Sequence, residues 1–200
     1  MGKARQHNEE AVVTLYRRAL PVIYRYVLAH LGQPDLAEDV VSDVFLVMVE
    51  SIEQLRTDQE AGFYAWLLQI AQRKVARVVQ QQQRQRSHQI PLSLPQEEEE
   101  ETTREELADH YPASDPIAVQ EWQETIEELQ RALDTLSQEQ QIVVTGRFLA
   151  DQSIEDLAQA LNKRPGAIRA LQFRALGKLA KSLGLKNNRH QEPKGGSHAT

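Results

Sequence analysis

Basic side chains recur near the carboxyl end of the chain at a spacing that suits contact with a nucleic acid. Arg169, Arg174 and Lys181 fall on one side of a helix with 3.6 residues per turn. Arginine and lysine neutralise phosphates, and arginine also pairs with guanine in the major groove. Small residues on this side would allow close approach to DNA, and a phenylalanine could contact a thymine methyl group. The predicted DNA-reading face comprises Gly166, Arg169, Ala170, Phe173, Arg174, Gly177 and Lys181.

The residues around this face predict a helix-turn-helix, in which the second helix lies in the major groove. A short helix begins at Ser153, whose spacing to an acidic residue three positions on is typical of a helix start, and it ends at Leu161. Asn162 tolerates the left-handed backbone of a tight turn, and Pro165 suits the first turn of a helix that ends at Gly184. A basic surface helix without a DNA role is the alternative. The side expected to pack inward comprises Ile168, Leu171, Ala175 and Leu179.

The distribution of charge explains how an acidic chain could bind DNA. The 200 residues carry a net charge of -6. Residues 97–128 contain 13 acidic residues and one basic residue, whereas residues 163–194 contain nine basic residues and one acidic residue. Residues 61–96 contain five basic residues and no acidic one. The total therefore hides two basic segments, with the densest acidic segment between them.

Helical periodicity predicts an all-α protein with two small helical domains joined by an acidic flexible linker. Residues 8–87 contain three amphipathic helices, and residues 115–184 form the helix-turn-helix domain. Residues 88–114 include three prolines and a run of five glutamates, so this segment cannot bury enough surface to fold and is the predicted linker. Residues 185–200 are predicted to be a disordered tail.

Several classes of protein are disfavoured by what the sequence lacks. No cysteine is present, which excludes disulfides and thiolate catalysis. The six histidines have no metal-binding spacing, and neither a glycine-rich phosphate loop nor a nucleophile elbow occurs. We expect no catalytic residue, metal, cofactor or small-molecule substrate, and hence no enzyme. Without a signal peptide or a membrane span, we expect a cytoplasmic protein with no direct membrane insertion. Trp66 and Trp122 lie on apolar stripes and are predicted core residues.

The C-terminal pattern resembles region four of the bacterial sigma factors, most closely that of the extracytoplasmic-function group. The pattern of that group reads roughly L-x-x-L-x-x-x-x-R-x-V, then E-I-A-x-x-L, then G-T-V-K-S-R-x-x-R-A. This chain has S-I-E-D-L-A-Q-A-L at 153–161 and P-G-A-I-R-A-L-Q-F-R-A at 165–175. The matching positions are Leu133, Leu136, Ile142, Val143, Asp156, Leu157, Ala158, Leu161, Gly166, Ile168, Arg169, Arg174 and Ala175.

The N-terminal domain resembles the same group. L-Y-R-R-A-L-P-V-I-Y-R-Y-V at 15–27 is similar to its opening helix. A-E-D-V-V-S-D-V-F at 37–45 is similar to its A-E-D-x-x-Q-x-x-F signature, and F-Y-A-W-L-L-Q-I-A at 63–71 to its F-x-x-W-L-x-x-I-A. Two matching domains in the right order are more specific than either alone.

The resemblance implies a sigma factor that binds the core of bacterial RNA polymerase and directs it to promoter DNA, with an anti-sigma factor as a further partner. The second helix would dock on the clamp helices of the largest polymerase subunit. The third helix and the loop before it would open the minus-ten element, and the last helix would read the minus-thirty-five element. The implied polymerase-binding residues are Asp39, Ser42, Asp43 and Leu46. The implied minus-ten residues are Phe63, Tyr64, Arg73, Lys74 and Arg77. The implied minus-thirty-five residues are Gly166, Arg169, Ala170, Phe173, Arg174 and Lys181.

The chain departs from the group's pattern at several of these positions. Ser42 replaces a glutamine of the polymerase-binding signature. After Ala71 the group has Arg-Asn, an Asp and a run of arginines, whereas this chain has Gln72 and, further on, four glutamines at 80–83. These departures leave two alternatives open. One is a non-initiating helix-turn-helix regulator that binds DNA, and the other is a helical module that binds polymerase or an anti-sigma factor.

The predicted linker can be tested by its reach. Its 27 residues (88–114) span roughly 90 Å when fully extended, at about 3.3 Å per residue. The two promoter elements lie about two helical turns apart, or roughly 70 Å. The linker can therefore bridge them if it is mostly extended. We also hypothesise that Glu97 to Glu101 mimic a nucleic-acid backbone within the polymerase, and a solubilising spacer is the alternative.

Overall fold

The computed structural model describes residues 9–55, 57–87 and 116–185, and within these ranges it contains helices and short connections but no strand. This agrees with the predicted all-α class. The predicted linker and all but the first residue of the predicted tail lie outside the described residues.

The first described part contains three long helices. They are α1 (Glu9–Leu31), α2 (Pro34–Ser51) and α3 (Glu60–Ser87), with a 3-10 turn (Ile52–Gln54) after α2. Gly32 ends α1 with a φ of +73°, a left-handed conformation that costs glycine little. Pro34 opens α2, where its missing N–H would have had no partner within the helix.

The core of this domain forms where the three helices pack on one another. Phe63, Ile23, Met48 and Leu67 are among its largest fully buried side chains. The partly buried Tyr16 ring meets the Phe45 ring edge-on at 4.7 Å, which fixes α1 against α2. Residues at helical spacing on each helix thus supply one continuous apolar cluster.

The second part contains α4 (Pro116–Asp134), α5 (Gln138–Phe148), α6 (Ile154–Ala160) and α7 (Pro165–Ser182). Capping boxes begin both short helices. The Gln140 amide N–H donates to the Ser137 hydroxyl, and the Asp156 amide N–H donates to the Ser153 hydroxyl. Each cap satisfies backbone donors that have no partner within the helix, which is why local sequence fixes these starts.

The two parts also pack against each other. Helix α1 contacts α4, and α3 contacts both α5 and α6. Ile142 of α5 is 4% exposed because it joins the core cluster of the first domain. The partly buried Trp122 packs against the same cluster, as does Trp66, in keeping with their predicted core positions.

Candidate nucleic-acid interface

A tight turn over residues 161–164 joins α6 to α7. Asn162 takes a φ of +51°, the left-handed conformation expected of it. The Lys163 amide N–H donates to the Ala158 carbonyl at 2.8 Å, which closes the end of α6. Arg164 is extended, and Pro165 then supplies the first turn of α7. The predicted helix-turn-helix is present, with α6 and α7 as its two helices.

The inner side of α7 holds this motif together. Ile168 is fully buried, and Ala175 is fully buried about two turns further along. Ile168 packs in a cluster with Val143 of α5 and Leu157 of α6. A Cβ on Gly146 would lie 2.8 Å from Leu157 Cδ2, so glycine permits the close approach of α5 to α6. The predicted inner side is therefore correct, with Leu179 partly buried at its end.

The outer side of α7 carries the predicted DNA-reading residues. Gly166, Arg169, Arg174 and Lys181 are exposed, and Ala170 is partly buried. Phe173 is 69% exposed, a large value for an apolar ring. No atom lies within 4 Å of a Cβ built on Gly166 or Gly177, so the surface beside the charges is open. The structure places these residues on one accessible face, and their contact with DNA remains a prediction.

The basic residues of the C-terminal domain have different surroundings. Lys178 Nζ donates to the Thr135 carbonyl at 2.6 Å and to Gln140 Oε1 at 3.1 Å, so it ties α7 to the end of α4 and the start of α5. Arg169 Nη2 lies 2.9 Å from Glu155 Oε1 in an exposed pair. Arg174 and Lys181 have no ion pair within the described part of the chain. Helical spacing alone could not indicate that Lys178 makes hydrogen bonds within the domain.

The predicted minus-ten aromatics need correction. Phe63 is 1% exposed and Tyr64 is 5% exposed, and both belong to the core of the first domain. The Tyr64 hydroxyl donates to the Arg18 carbonyl at 3.2 Å, which joins α3 to α1. Burial raises the pKa of Tyr64 above its ordinary value. Side chains that fill the core cannot also stack on an unpaired base, so we leave both out of the DNA-contacting set.

The basic residues of α3 remain accessible in part. Arg73 and Arg77 are exposed, four residues apart on one side of the helix. Lys74 Nζ lies 2.7 Å from Asp43 Oδ2 of α2, so this lysine and this aspartate neutralise each other. One predicted minus-ten residue, Lys74, thus forms an ion pair with one predicted polymerase-binding residue, Asp43. The two lie 31 positions apart in sequence, so the sequence pattern did not indicate the pair.

The predicted polymerase-binding residues form one exposed strip along α2. Asp39, Ser42, Asp43 and Leu46 are all exposed at spacings of three and four residues. Leu46 is 61% exposed, and Val49 extends the apolar end of the strip at 43%. Val49 was absent from the predicted set, although its position three residues after Leu46 could have indicated it. Binding to polymerase through this strip remains a prediction.

Within the described ranges, no group of three or more His, Cys, Asp or Glu side chains could hold a metal ion. None of the described helices is long and apolar enough to cross a membrane.

The two described parts of the chain match two known protein families. The chain matches the family model for Sigma-70 region 2 over residues 15–85 and the model for Sigma-70, region 4 over residues 126–179. Together the two models cover more than half of the chain and coincide with the two described parts. The chain belongs to the extracytoplasmic-function group of sigma-70 factors.

The relatives of this sigma-70 chain agree with that assignment. It is 32% identical over 182 residues to the ECF RNA polymerase sigma factor BldN of Streptomyces coelicolor. The match covers 90% of this chain and 63% of that relative, so this chain spans less than two thirds of the relative's length.

Two solved structures are also similar to this chain. One is the sigma factor RpoE with the anti-sigma factor NepR from Bartonella quintana, with 18% identity, coverage of 89% of this chain and 97% of that chain, and a TM-score of 0.47. The other is the RsbN–BldN complex, with 26% identity, coverage of 90% and 96%, and a TM-score of 0.34.

Proposed function

We propose that this protein is a sigma factor that binds the core of bacterial RNA polymerase and directs promoter-specific initiation of transcription. The observation that carries the proposal is the presence of region 2 and region 4 in one chain and in this order. The open basic face of α7 supports it, because a sigma factor needs a surface that reads duplex DNA. Polymerase and promoters share the cytoplasm, which is where the protein would act.

Each domain has a separate task in this proposal. The exposed strip of α2 binds the polymerase, with Leu46 and Val49 as its apolar anchors. Arg73 and Arg77 follow the phosphates of the minus-ten element, since exposed guanidinium groups attract DNA without regard to sequence. Arg169 and Arg174 locate the minus-thirty-five element from the major groove. No covalent chemistry is required for any of these steps, and the protein is not an enzyme in this proposal.

The segment before α3 is the best remaining candidate for holding an unstacked base. Thr57, Asp58 and Gln59 line an open cleft together with Gly62 and Trp66. The Thr57 hydroxyl accepts a hydrogen bond from the Gln59 amide N–H at 3.1 Å, so the segment has local order. Polar side chains beside an aromatic ring suit the recognition of a flipped base.

A non-initiating DNA-binding regulator is the second candidate. Two features of α3 favour this regulator. Phe63 and Tyr64 are buried, which removes two aromatic rings that could stack on single-stranded DNA. Gln72 stands where the family has a basic residue, which removes a charge that could contact a phosphate. The third candidate, a module that binds only polymerase or an anti-sigma factor, is favoured by the apolar end of the α2 strip. An anti-sigma factor is also an expected partner of the sigma factor proposed here.

Purified protein mixed with core polymerase and genomic DNA fragments separates these functions. A sigma factor binds the core and yields transcripts with defined starts. A non-initiating regulator binds DNA without binding the core. A purely protein-binding module binds the core and yields no transcripts. Leu46→Asp, with exposed Glu50→Asp as a matched control on the same helix, should abolish core binding only if the α2 strip is the contact.

A further inference from the structure

Glu155 of α6 and Arg169 of α7 form an ion pair across the helix-turn-helix. Arg169 Nη2 donates to Glu155 Oε1 at 2.9 Å, and the two side chains are 61% and 65% exposed. A pair this exposed adds little to the stability of the fold, because water screens both charges and two long side chains must be held still. Attraction to phosphates does not explain Glu155 either, because an acid beside a DNA-reading face is repelled by them. The pair therefore calls for another explanation.

The backbone is fixed at both ends of this ion pair. Glu155 lies in the first turn of α6, directly after the capping box that Ser153 begins. Arg169 follows Ile168, which is fully buried in one cluster with Leu157 of α6. The start of α6 and the early part of α7 are thus held against each other by buried residues. What remains free to move at this point is the pair of side chains.

The guanidinium of Arg169 can keep its acidic partner while it contacts a base. A guanidinium carries more N–H donors than one carboxylate oxygen uses, and they lie in one rigid plane. A bidentate contact with guanine uses a pair of them. Arg169 also lies near the start of α7, and the early residues of the second helix are those that reach base edges in a helix-turn-helix. Glu155 can therefore hold one edge of the guanidinium while another edge faces the major groove.

Arg174 provides a comparison within the same helix. It is exposed, like Arg169, but it has no ion pair within the described part of the chain. A long side chain without a partner samples many rotamers and loses that freedom when it binds. A side chain that is already ordered loses less. Arg169 and Arg174 thus carry the same charge on the same face, but only Arg169 is held in advance.

We propose that Glu155 is a positioning residue, which orients the Arg169 guanidinium toward a base pair and keeps it away from phosphates. The inference rests on the proposed function, but the ordering of Arg169 can be measured without it. Glu155→Gln keeps the shape of the side chain and removes its charge. This variant should lower the preference for the favoured base pair about fivefold, the low end of what one bidentate arginine contributes.

Affinity for random DNA should change in the opposite direction. Once released, Arg169 can contact a phosphate, so Glu155→Gln should bind random DNA more tightly. The slope of the logarithm of its binding constant against the logarithm of salt concentration should become steeper by about 0.9. A residue that only supported the fold would lower both affinities when it is replaced.

The first test measures order in the free, full-length protein. Nitrogen-15 relaxation of the arginine side chains should show Arg169 more ordered than Arg174 on the picosecond to nanosecond timescale. Glu155→Gln should make the two equally mobile. Glu139→Gln breaks a similar exposed pair, in which Lys163 Nζ lies 2.9 Å from Glu139 Oε1, and it should leave Arg169 ordered. Equal mobility of the two arginines in the unchanged protein overturns the positioning role and leaves the sigma function untouched.

The second test measures binding of the polymerase holoenzyme to promoter fragments in which each upstream base pair is substituted in turn. Glu155→Gln and Arg169→Ala should lose preference at the same base pair, and the double variant should lose no more than Arg169→Ala alone. Glu139→Gln is again the control and should keep every preference. Arg169→Lys, which keeps the charge without the planar fork, should lose the same preference.

Three results of this second test overturn the proposal. They are an unchanged preference in Glu155→Gln, additive losses in the double variant, and a lysine that preserves the preference. A holoenzyme that shows no preference among the fragments, although Arg169 is ordered in the free protein, rejects the sigma function instead, and the DNA-reading role of the pair with it.

Discussion

Helices α7 and α3 both carry basic residues, but they carry them in different surroundings. On α7, Arg174 and Lys181 stand beside glycines with open space around them. On α3, Arg73 and Arg77 are exposed, while Phe63 and Tyr64 fill the core and Gln72 faces the other domain. Charges separated by small residues let a helix enter a groove, where base edges can be read. On α3 the partly buried Trp66 lines an open cleft, so stacking on an unpaired base would fall to Trp66 and not to Phe63 or Tyr64.

We infer that the two proposed DNA-binding tasks use different parts of the chain. In the proposed function, duplex DNA is read by a face of α7 that the helix-turn-helix exposes. The proposed opening of DNA would use the segment before α3, and Gln159 and Ala160 of the C-terminal domain line the same cleft as that segment.

The largest effect is expected from Phe63→Ala. Removing a fully buried phenylalanine should lower the free energy of unfolding by about 3–5 kcal/mol, through lost burial and the cavity left behind. Exposed Phe173→Ala on α7 is the control and should change it by less than about 0.5 kcal/mol. Urea unfolding followed by circular dichroism measures both. Equal stabilities would show that Phe63 does not stabilise the core, and the contrast between the helices would fail.

Arg174→Ala should weaken binding of the polymerase holoenzyme to a promoter by about 1–3 kcal/mol, because a guanidinium in the major groove is lost. Arg169→Ala should act in the same direction with the fold intact. Arg131→Ala on α4 removes the same charge from a different surface and serves as the control. Anisotropy on promoter and mismatched fragments gives the affinities. Loss of helicity in either variant would mean that the inner and outer sides of α7 have been assigned wrongly.

Arg73→Ala and Arg77→Ala should have a smaller effect of a different kind. Each variant should make the slope of the logarithm of the binding constant against the logarithm of salt concentration less steep by about 0.9. The preference among promoter sequences should stay unchanged. Comparison with Arg174→Ala over a range of salt concentrations separates backbone contact from base reading. A changed sequence preference in the α3 variants would erase the distinction drawn between the two helices.

The smallest effect concerns pH and the contact between the domains. Burial lowers the pKa of the His30 imidazole below its ordinary value, although the hydrogen bond to the Tyr26 carbonyl and the charge of Asp134 oppose this. The titratable groups near His30 are Tyr26 on α1 and Glu127 and Asp134 on α4. The residues of α3 that line the groove beside His30 include the uncharged Gln82 and Gln83. The folded protein favours the neutral form of His30. The stability that depends on this neutral imidazole is therefore fully present above about pH 6.5. That contribution is lost as the pH falls through the lowered pKa.

Urea unfolding at about pH 7.5 and about pH 5.5 tests this linkage. The unchanged protein should lose more stability on acidification than the His30→Gln variant, which cannot gain the proton. The same loss in both proteins would show that other groups govern the response.

Local features of the fold could be predicted because their causes are local. The capping boxes at Ser137 and Ser153, the left-handed Asn162 and the buried side of α7 all follow from side chains within a few residues of each other. Helical spacing with Leu67 and Ile70 also indicates that Phe63 lies on the apolar side of its helix. The DNA role that the family resemblance implied for this residue conflicted with that placement, and the structure supports the periodicity.

Features that join distant segments could not be predicted in this way. Gln72 meets Gln138 and Gln141 across 66 and 69 positions of sequence, and Lys74 meets Asp43 across 31. A glutamine has no hydropathy pattern that indicates a partner. Such contacts depend on how helices and domains pack, which the pattern of one sequence does not indicate.

Transcription from genomic fragments by core polymerase and this protein, with the 5′ ends sequenced, tests whether α7 directs the polymerase to its promoters. We expect starts that share two sequence elements about two helical turns apart. In the Arg174→Ala variant, starts should no longer depend on the upstream element. Starts without a shared upstream element, or starts that Arg174→Ala leaves unchanged, would contradict the claim that α7 directs the polymerase to its promoters.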